Sequence, residues 1–264
     1  MNIMILLVAI VILLCVLVEK FSDRFGMPAL IFFMFIGMLF GSDGILKIPF
    51  DDFKLAENIC SISLIFIMFY GGFNTKWKAA KEVAGKSILL STLGVVITAG
   101  ITMLLCRVLL NIPFAESFLI GAVLSSTDAA SVFAILRKHK LNLKDGTASI
   151  LEVESGSNDP VSYLLTIVAV SIATTGGFGN VIGTIAIQLV MGIVVGVVFA
   201  KITIAILMKT NLVSDGLDTI FMIASVLFCY ALTAFLGGNA YLSVYLFGIY
   251  TGNQKICKKN ELIP

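Results

Sequence analysis

The feature that most constrains this chain is a succession of nine apolar runs, approximately Ile3 to Val18, Pro28 to Phe40, Ala56 to Phe73, Gly85 to Leu110, Phe114 to Leu136, Ala148 to Thr174, Val181 to Met208, Asp218 to Leu236 and Ala240 to Thr251. A hydrocarbon core about 30 Å thick is crossed by about 20 residues of α-helix, so runs of this kind predict membrane spans. The second and last are short for a full crossing and fit a tilted or interrupted helix, or a locally thinned bilayer. The first run has no basic segment ahead of it and no small-residue cleavage site before Phe25, so it reads as a retained helix and not a signal peptide. With 59% hydrophobic and only 13% charged residues, soluble-domain classes are excluded. The expected fold class is all-α, a polytopic transmembrane helix bundle with about nine helices, and lipid is its principal partner.

Basic residues are retained on the cytoplasmic side of a membrane, which sets the orientation. Fourteen Lys and Arg residues fall in the segments after the first, third, fifth, seventh and ninth runs, among them Lys76, Lys78, Arg137, Lys138, Lys209 and Lys255. The opposite side has Lys47 and Lys54, accompanied by Asp43, Asp51, Asp52 and Glu57. The N-terminus is therefore expected outside and the C-terminus inside. Arg107 and Lys201 lie near helix ends and reach the interface by snorkelling. The net charge of +2 then reports topology, and no nucleic-acid partner is expected. Cys15, Cys60, Cys106, Cys229 and Cys257 have no CxxC spacing, which argues against a zinc or iron–sulfur site and against a disulfide framework. His139, among Arg137, Lys138 and Lys140, reads as a solvated loop residue.

Intramembrane carboxylates cost at least ~2.5–3.5 kcal/mol each on insertion scales, so their presence marks function. Two consecutive runs carry them. The fifth contains Ser125-Ser126-Thr127-Asp128-Ala129-Ala130-Ser131, and the sixth Glu152-Val153-Glu154-Ser155-Gly156-Ser157-Asn158-Asp159-Pro160. At 1.5 Å per residue Asp128 lies roughly 13 Å, and Asp159 roughly 16 Å, from the cytoplasmic ends of their helices, so the two are level. A short connection predicts antiparallel packing with the sites facing each other. Glu154 and Asn158, like Ser155 and Asp159, are four residues apart and form one polar stripe. Pro160 has no N–H for the Gly156 carbonyl, which weakens the helix beside the carboxylate. Around Thr127 and Asp128, hydroxyls compete for helical acceptors, predicting discontinuous helix there. Such backbone is tolerated only where it lines a cavity or is covered by protein.

A buried carboxylate holds either a proton or a monovalent cation, with Ser, Thr and backbone oxygens replacing the cation's water. One site that binds the two ions exclusively of each other is the minimum for exchange. A structural hydrogen-bond network is the bland alternative, above all for Glu154, which suits an ion pair as well as transport. Glu152 reads as solvated or at an entrance. An intramembrane aspartyl protease also needs level carboxylates, but its GxGD context is absent here. A passive cation channel favours rings of weak sites over one carboxylate beside a proline. Gly176-Gly177-Phe178-Gly179 and Gly237-Gly238 read as turns, and Gly192 with Gly196 as a close helix contact.

The strings from Ser126 to Phe133 and from Glu152 to Pro160 resemble the paired signatures of the monovalent cation:proton antiporter (sodium/proton exchanger) superfamily, and within it bacterial potassium/proton antiporters of the cell-volume-regulation type. The resemblance implies a transporter and not an enzyme, without cofactors, in the bacterial inner membrane as a homodimer. Asp159 becomes the essential ion-binding and proton-carrying carboxylate, with Asn158 beside it in the pairing associated with electroneutral exchange. Asp128, Thr127 and Ser155 help build the cation site at a crossing of unwound helices, and Glu154 pairs with an arginine on a later helix. Potassium is expected ahead of sodium. Many members have an acidic residue before a Gly-Gly in the third helix, where this chain has Tyr70-Gly71-Gly72.

By the same resemblance, residues 1–80 form scaffold and dimerisation helices, 85–175 the ion-binding core, 180–208 a linker helix and 218–253 the start of a second, truncated repeat. Family members have more helices than these nine, arranged as inverted repeats. The chain is expected to be the N-terminal part of a longer transporter, with the crossing partner helix and the arginine for Glu154 beyond Pro264.

Overall fold

The computed structural model describes residues 2–25, 29–48, 52–127, 143–175, 181–209 and 217–254, and all nine apolar runs contain helix within them. The chain divides into two compact units, Met1–Ile59 and Cys60–Pro264. In the first, α1 (Asn2–Phe25) packs on α2 (Ala29–Phe40). The chain then folds back over the end of α2, with Leu46 N–H donating to the Leu39 carbonyl at 3.2 Å and Ile48 N–H to that of Phe40 at 3.3 Å.

The second unit begins within α3 (Phe53–Asn74) and continues with α4 (Trp77–Leu89), α5 (Val95–Leu109), α6 (Phe114–Leu124), α7 (Thr147–Thr175), α8 (Val181–Lys209), α9 (Asp218–Phe235) and α10 (Ala240–Gly252). α4 and α5 are one continuous rod joined by a π-turn at Leu90–Gly94, where Thr92 Oγ1 donates to the Ile88 carbonyl at 2.6 Å. The rod starts eight residues before the apolar run, because the segment around Lys78, Lys81 and Lys86 is helical but too charged to count as lipid-soluble. α3, the rod, α8 and α9 contain helices long and apolar enough to cross a membrane, while α2 and α6 are shorter apolar helices.

The unit exposes apolar side chains and buries polar ones beside its apolar core, the pattern expected where lipid is the solvent. Ile97, Ile101, Leu104, Val108, Ile187, Val190 and Phe228 are exposed, whereas Ser87, Ser117, Ser155, Asn158, Thr233, Asn239 and Ser243 are fully buried. Helices in this setting associate through close backbone approach, which small residues permit. α10 lies against α3 at Gly72 and Gly248, and against α8 at Gly192 and Gly196. The pair read as a close contact from the sequence is therefore one. The turn between α9 and α10 is built on Gly237 at φ 73°, a left-handed conformation that glycine adopts without strain. Gly176–Gly179, His139 and Cys257 lie outside the described residues; Cys15, Cys60, Cys106 and Cys229 are free thiols.

A Cβ on Gly196 would lie 2.6 Å from the Ser243 carbonyl oxygen, a backbone atom that cannot turn aside. Gly196→Ala gains about 1 kcal/mol of helix propensity but forces two helices apart, at ~1–3 kcal/mol. A net loss of about 1 kcal/mol is expected, the middle of the resulting range, read as a lower thermal midpoint in detergent. An unchanged or raised midpoint would show that the α8–α10 contact is looser than these distances require.

Candidate ion-binding site

α6 rises about 16 Å at 1.5 Å per residue, about half the thickness of a hydrocarbon core, so by itself it is too short to cross one. The helix stops far short of Leu136, the end of the apolar run, and the break has a local cause. Ser125 Oγ donates to the Ala122 carbonyl at 2.7 Å, and Ser162 Oγ from α7 donates to the same oxygen at 2.7 Å. Hydroxyls thus occupy an acceptor at the helix end, and Ser125 to Thr127 leave the helix.

α7 crosses this break. It is continuous through Pro160, so the proline removes a helical donor without ending the helix. Asp159 lies about 18 Å along α7 from Thr147, level with the end of α6. Ser126 Oγ donates to Asp159 Oδ1, and Asn158 Nδ2 donates to Thr127 Oγ1. Asn158 Nδ2 also donates to Glu154 Oε1 at 3.2 Å, while Thr127 Oγ1 and Ser155 Oγ lie 3.3 Å apart. The carboxylate of Glu154 accepts only, which fixes the amide with its nitrogen towards Glu154 and its oxygen turned away. That oxygen, Asn158 Oδ1, is buried without a hydrogen-bond partner among the described residues.

The sequence-predicted residues Asp159, Asn158, Ser155, Thr127 and Glu154 are thus brought together. Asp128 lies outside the described residues. Glu154 meets Asn158, and no arginine faces it among the described residues. Sequence reasoning did not single out Ser126, although its hydroxyl stands in the quoted string one residue before Thr127. It missed Asn239 as well, whose Nδ2 donates to the Pro160 carbonyl at 3.1 Å. Chemically the cluster offers two carboxylates, three hydroxyls and an unused amide oxygen. Such a set can replace the hydration shell of a monovalent cation or hold a proton on a carboxylate.

A cavity of about 420 Å³ opens at the end of the unit where α3 finishes and α4 and α7 begin, lined by Asn74, Thr75, Lys76, Ser149 and Glu152 among others. Its lining residues Glu152 and Val153 directly precede Glu154 in α7.

The profile of the family described as "Sodium/hydrogen exchanger, transmembrane" matches residues 7–262. The K(+)/H(+) antiporter NhaP of Alkalimonas amylolytica is 35% identical over 257 residues, covering 97% of this chain and 45% of the relative. The K(+)/H(+) antiporter NhaP2 of Shewanella baltica is 34% identical over 243 residues, covering 90% and 42%. The solved structure of the sodium proton antiporter MjNhaP1 from Methanocaldococcus jannaschii matches with a TM-score of 0.81 and 25% identity, over 96% of this chain and 63% of that one. The chain spans less than half the length of the two potassium/proton relatives.

Proposed function

This chain belongs to the sodium/hydrogen exchanger family, and from that premise we propose that the protein containing it exchanges a monovalent cation for protons by alternating access, with potassium preferred to sodium. The observation that carries the reading is the meeting of Ser126 and Thr127, just beyond the end of α6, with Asp159 and Asn158 at the middle of α7. Asp159 holds the proton in one half of the cycle and the cation in the other. Ser126, Thr127, Ser155 and the free oxygen of Asn158 supply neutral ligands, with Asp128 from the segment that follows. Glu154 orients Asn158 and awaits an arginine from a later helix. The potassium/proton relatives favour potassium, although cavity size and ligand number decide selectivity.

The Asn158–Asp159 pair is the form that the family resemblance associates with electroneutral exchange, one cation for one proton. The chain lies in a bacterial inner membrane with its N-terminus outside, as the distribution of lysines and arginines supports. Residues 1–80 form the scaffold of a homodimer, 85–175 the moving core, 180–208 the linker and 218–253 the start of the second repeat.

The test uses the full-length protein in vesicles that carry a proton gradient and a pH-sensitive dye. Adding potassium should dissipate the gradient at a lower concentration than sodium, and clamping the membrane potential should leave the rate unchanged. Cation current without proton movement would establish a channel instead. A rate that follows the clamped potential would remove electroneutrality.

A further inference from the structure

Tyr245 of α10 presses its ring onto α7 at Gly156. A Cβ there would lie 2.7 Å from the ring's Cε2 and 2.8 Å from the hydroxyl oxygen, so only glycine lets the phenol come this far. The residue is 3% exposed, and among the described residues its hydroxyl has no formed hydrogen bond. Packing does not require that hydroxyl. Phe69, Phe73 and Phe247 fill the same core cluster, and a phenylalanine at 245 would occupy the same space without stranding a polar atom.

The polar groups facing the hydroxyl come from two directions. Thr75 and Glu152 belong to the wall of the 420 Å³ cavity. Ser157 and Asp159 belong to the polar face of α7. Thr75 and Ser157 come within hydrogen-bonding reach of the hydroxyl, but among the described residues none of the four meets it with the distance and angle of a formed bond. The unused oxygen therefore stands where the cavity ends and the ion site begins.

We propose that Tyr245 Oη, with Thr75 and Glu152, forms a second, transient binding position for the transported monovalent cation, between the cavity and Asp159. This rests on the exchange reading above. A cation leaving the water of the cavity must give up hydration before it reaches Asp159, and an oxygen at the threshold replaces one water of that shell. Glu152 supplies the compensating charge on the cavity side, and Gly156 the space. The phenol stays protonated throughout and contributes a lone pair.

The experiment measures cation-driven dissipation of a proton gradient by the full-length protein in vesicles, as a function of potassium concentration. Y245F keeps the ring and removes the oxygen. Its half-saturating potassium concentration should rise on the order of tenfold, while the rate at saturation stays within about twofold of wild type. G156A, which drives the ring off α7, should shift the same constant in the same direction, and it decides the matter if Y245F does not fold. Y241F, altering a tyrosine of the same helix packed edge-on to Tyr163 at 5.2 Å, serves as the control and should change neither quantity. Wild-type constants in Y245F overturn the inference alone. A wild-type protein that exchanges no protons overturns the exchange reading, and this inference with it.

Discussion

Asp159→Asn is expected to reduce cation-driven proton movement by the full-length protein to the level of protein-free vesicles, with its thermal midpoint in detergent within a few degrees of wild type. The substitution is nearly isosteric. An asparagine Oδ1 still accepts from Ser126 Oγ, so the contact that ties α7 to the end of α6 survives. What disappears is the ability to ionise. An amide carries no negative charge for a cation and takes up no proton at physiological pH, so both halves of the cycle fail at once. The remaining neutral ligands, Thr127, Ser155 and the Asn158 oxygen, still line the position but no longer discriminate a charged from an empty state. The pairing of lost transport with retained stability separates a functional carboxylate from a structural one. Normal exchange by the variant would sink the assignment of Asp159. A large fall in the midpoint would make it part of a structural network instead.

The membrane architecture was legible because lipid imposes one simple rule, about 20 apolar residues per crossing, and each run that obeys it contains helix. Where helices end was less legible. The run Phe114 to Leu136 shows no glycine or proline at the break, and α6 stops because Ser125 and Ser162 share the Ala122 carbonyl. The hydroxyls of Ser125 to Thr127 mark the discontinuity locally, but the share of Ser162, which comes from another helix, is not visible in the sequence. Pro160 gave the opposite lesson, since α7 runs through it while Asn239, at the N-terminus of α10, holds its carbonyl. The ion site was legible as far as it lies on one helix. Glu154, Ser155, Asn158 and Asp159 share a face through four-residue spacing, and charge inside an apolar run marks itself. Tyr245 and Asn239 carry no such mark. An aromatic in an apolar helix and an asparagine after a Gly-Gly turn are commonplace, and their meaning arises only when α10 is laid against α7.

Asn239→Leu is expected to lower stability by about 2–4 kcal/mol and, in whatever protein still folds, to slow exchange. Asn239 is fully buried and joins three elements. Its Oδ1 caps α10 by accepting from Leu242 N–H at 3.0 Å, its N–H donates to the Gln188 carbonyl of α8 at 2.9 Å, and its Nδ2 reaches Pro160 of α7. Loss of the cap costs about 0.5–2 kcal/mol, loss of the hydrogen bond to Pro160 about 1 kcal/mol, and the branched side chain strains a site shaped for a planar amide. Asn239→Ser divides these terms. Serine caps a helix nearly as well as asparagine but is too short to reach Pro160, so about half of the lost stability should return. Transport should not return with it, because Pro160 is bonded in sequence to Asp159, and freeing its carbonyl from α10 alters how the carboxylate is held against Ser126. Thermal midpoints and exchange rates measured on the same preparations distinguish the outcomes. If both variants melt with wild type, the helix contacts at Gly192 and Gly196 hold α10 without help from Asn239. If serine restores stability and full exchange together, the link to Pro160 plays no part in positioning Asp159.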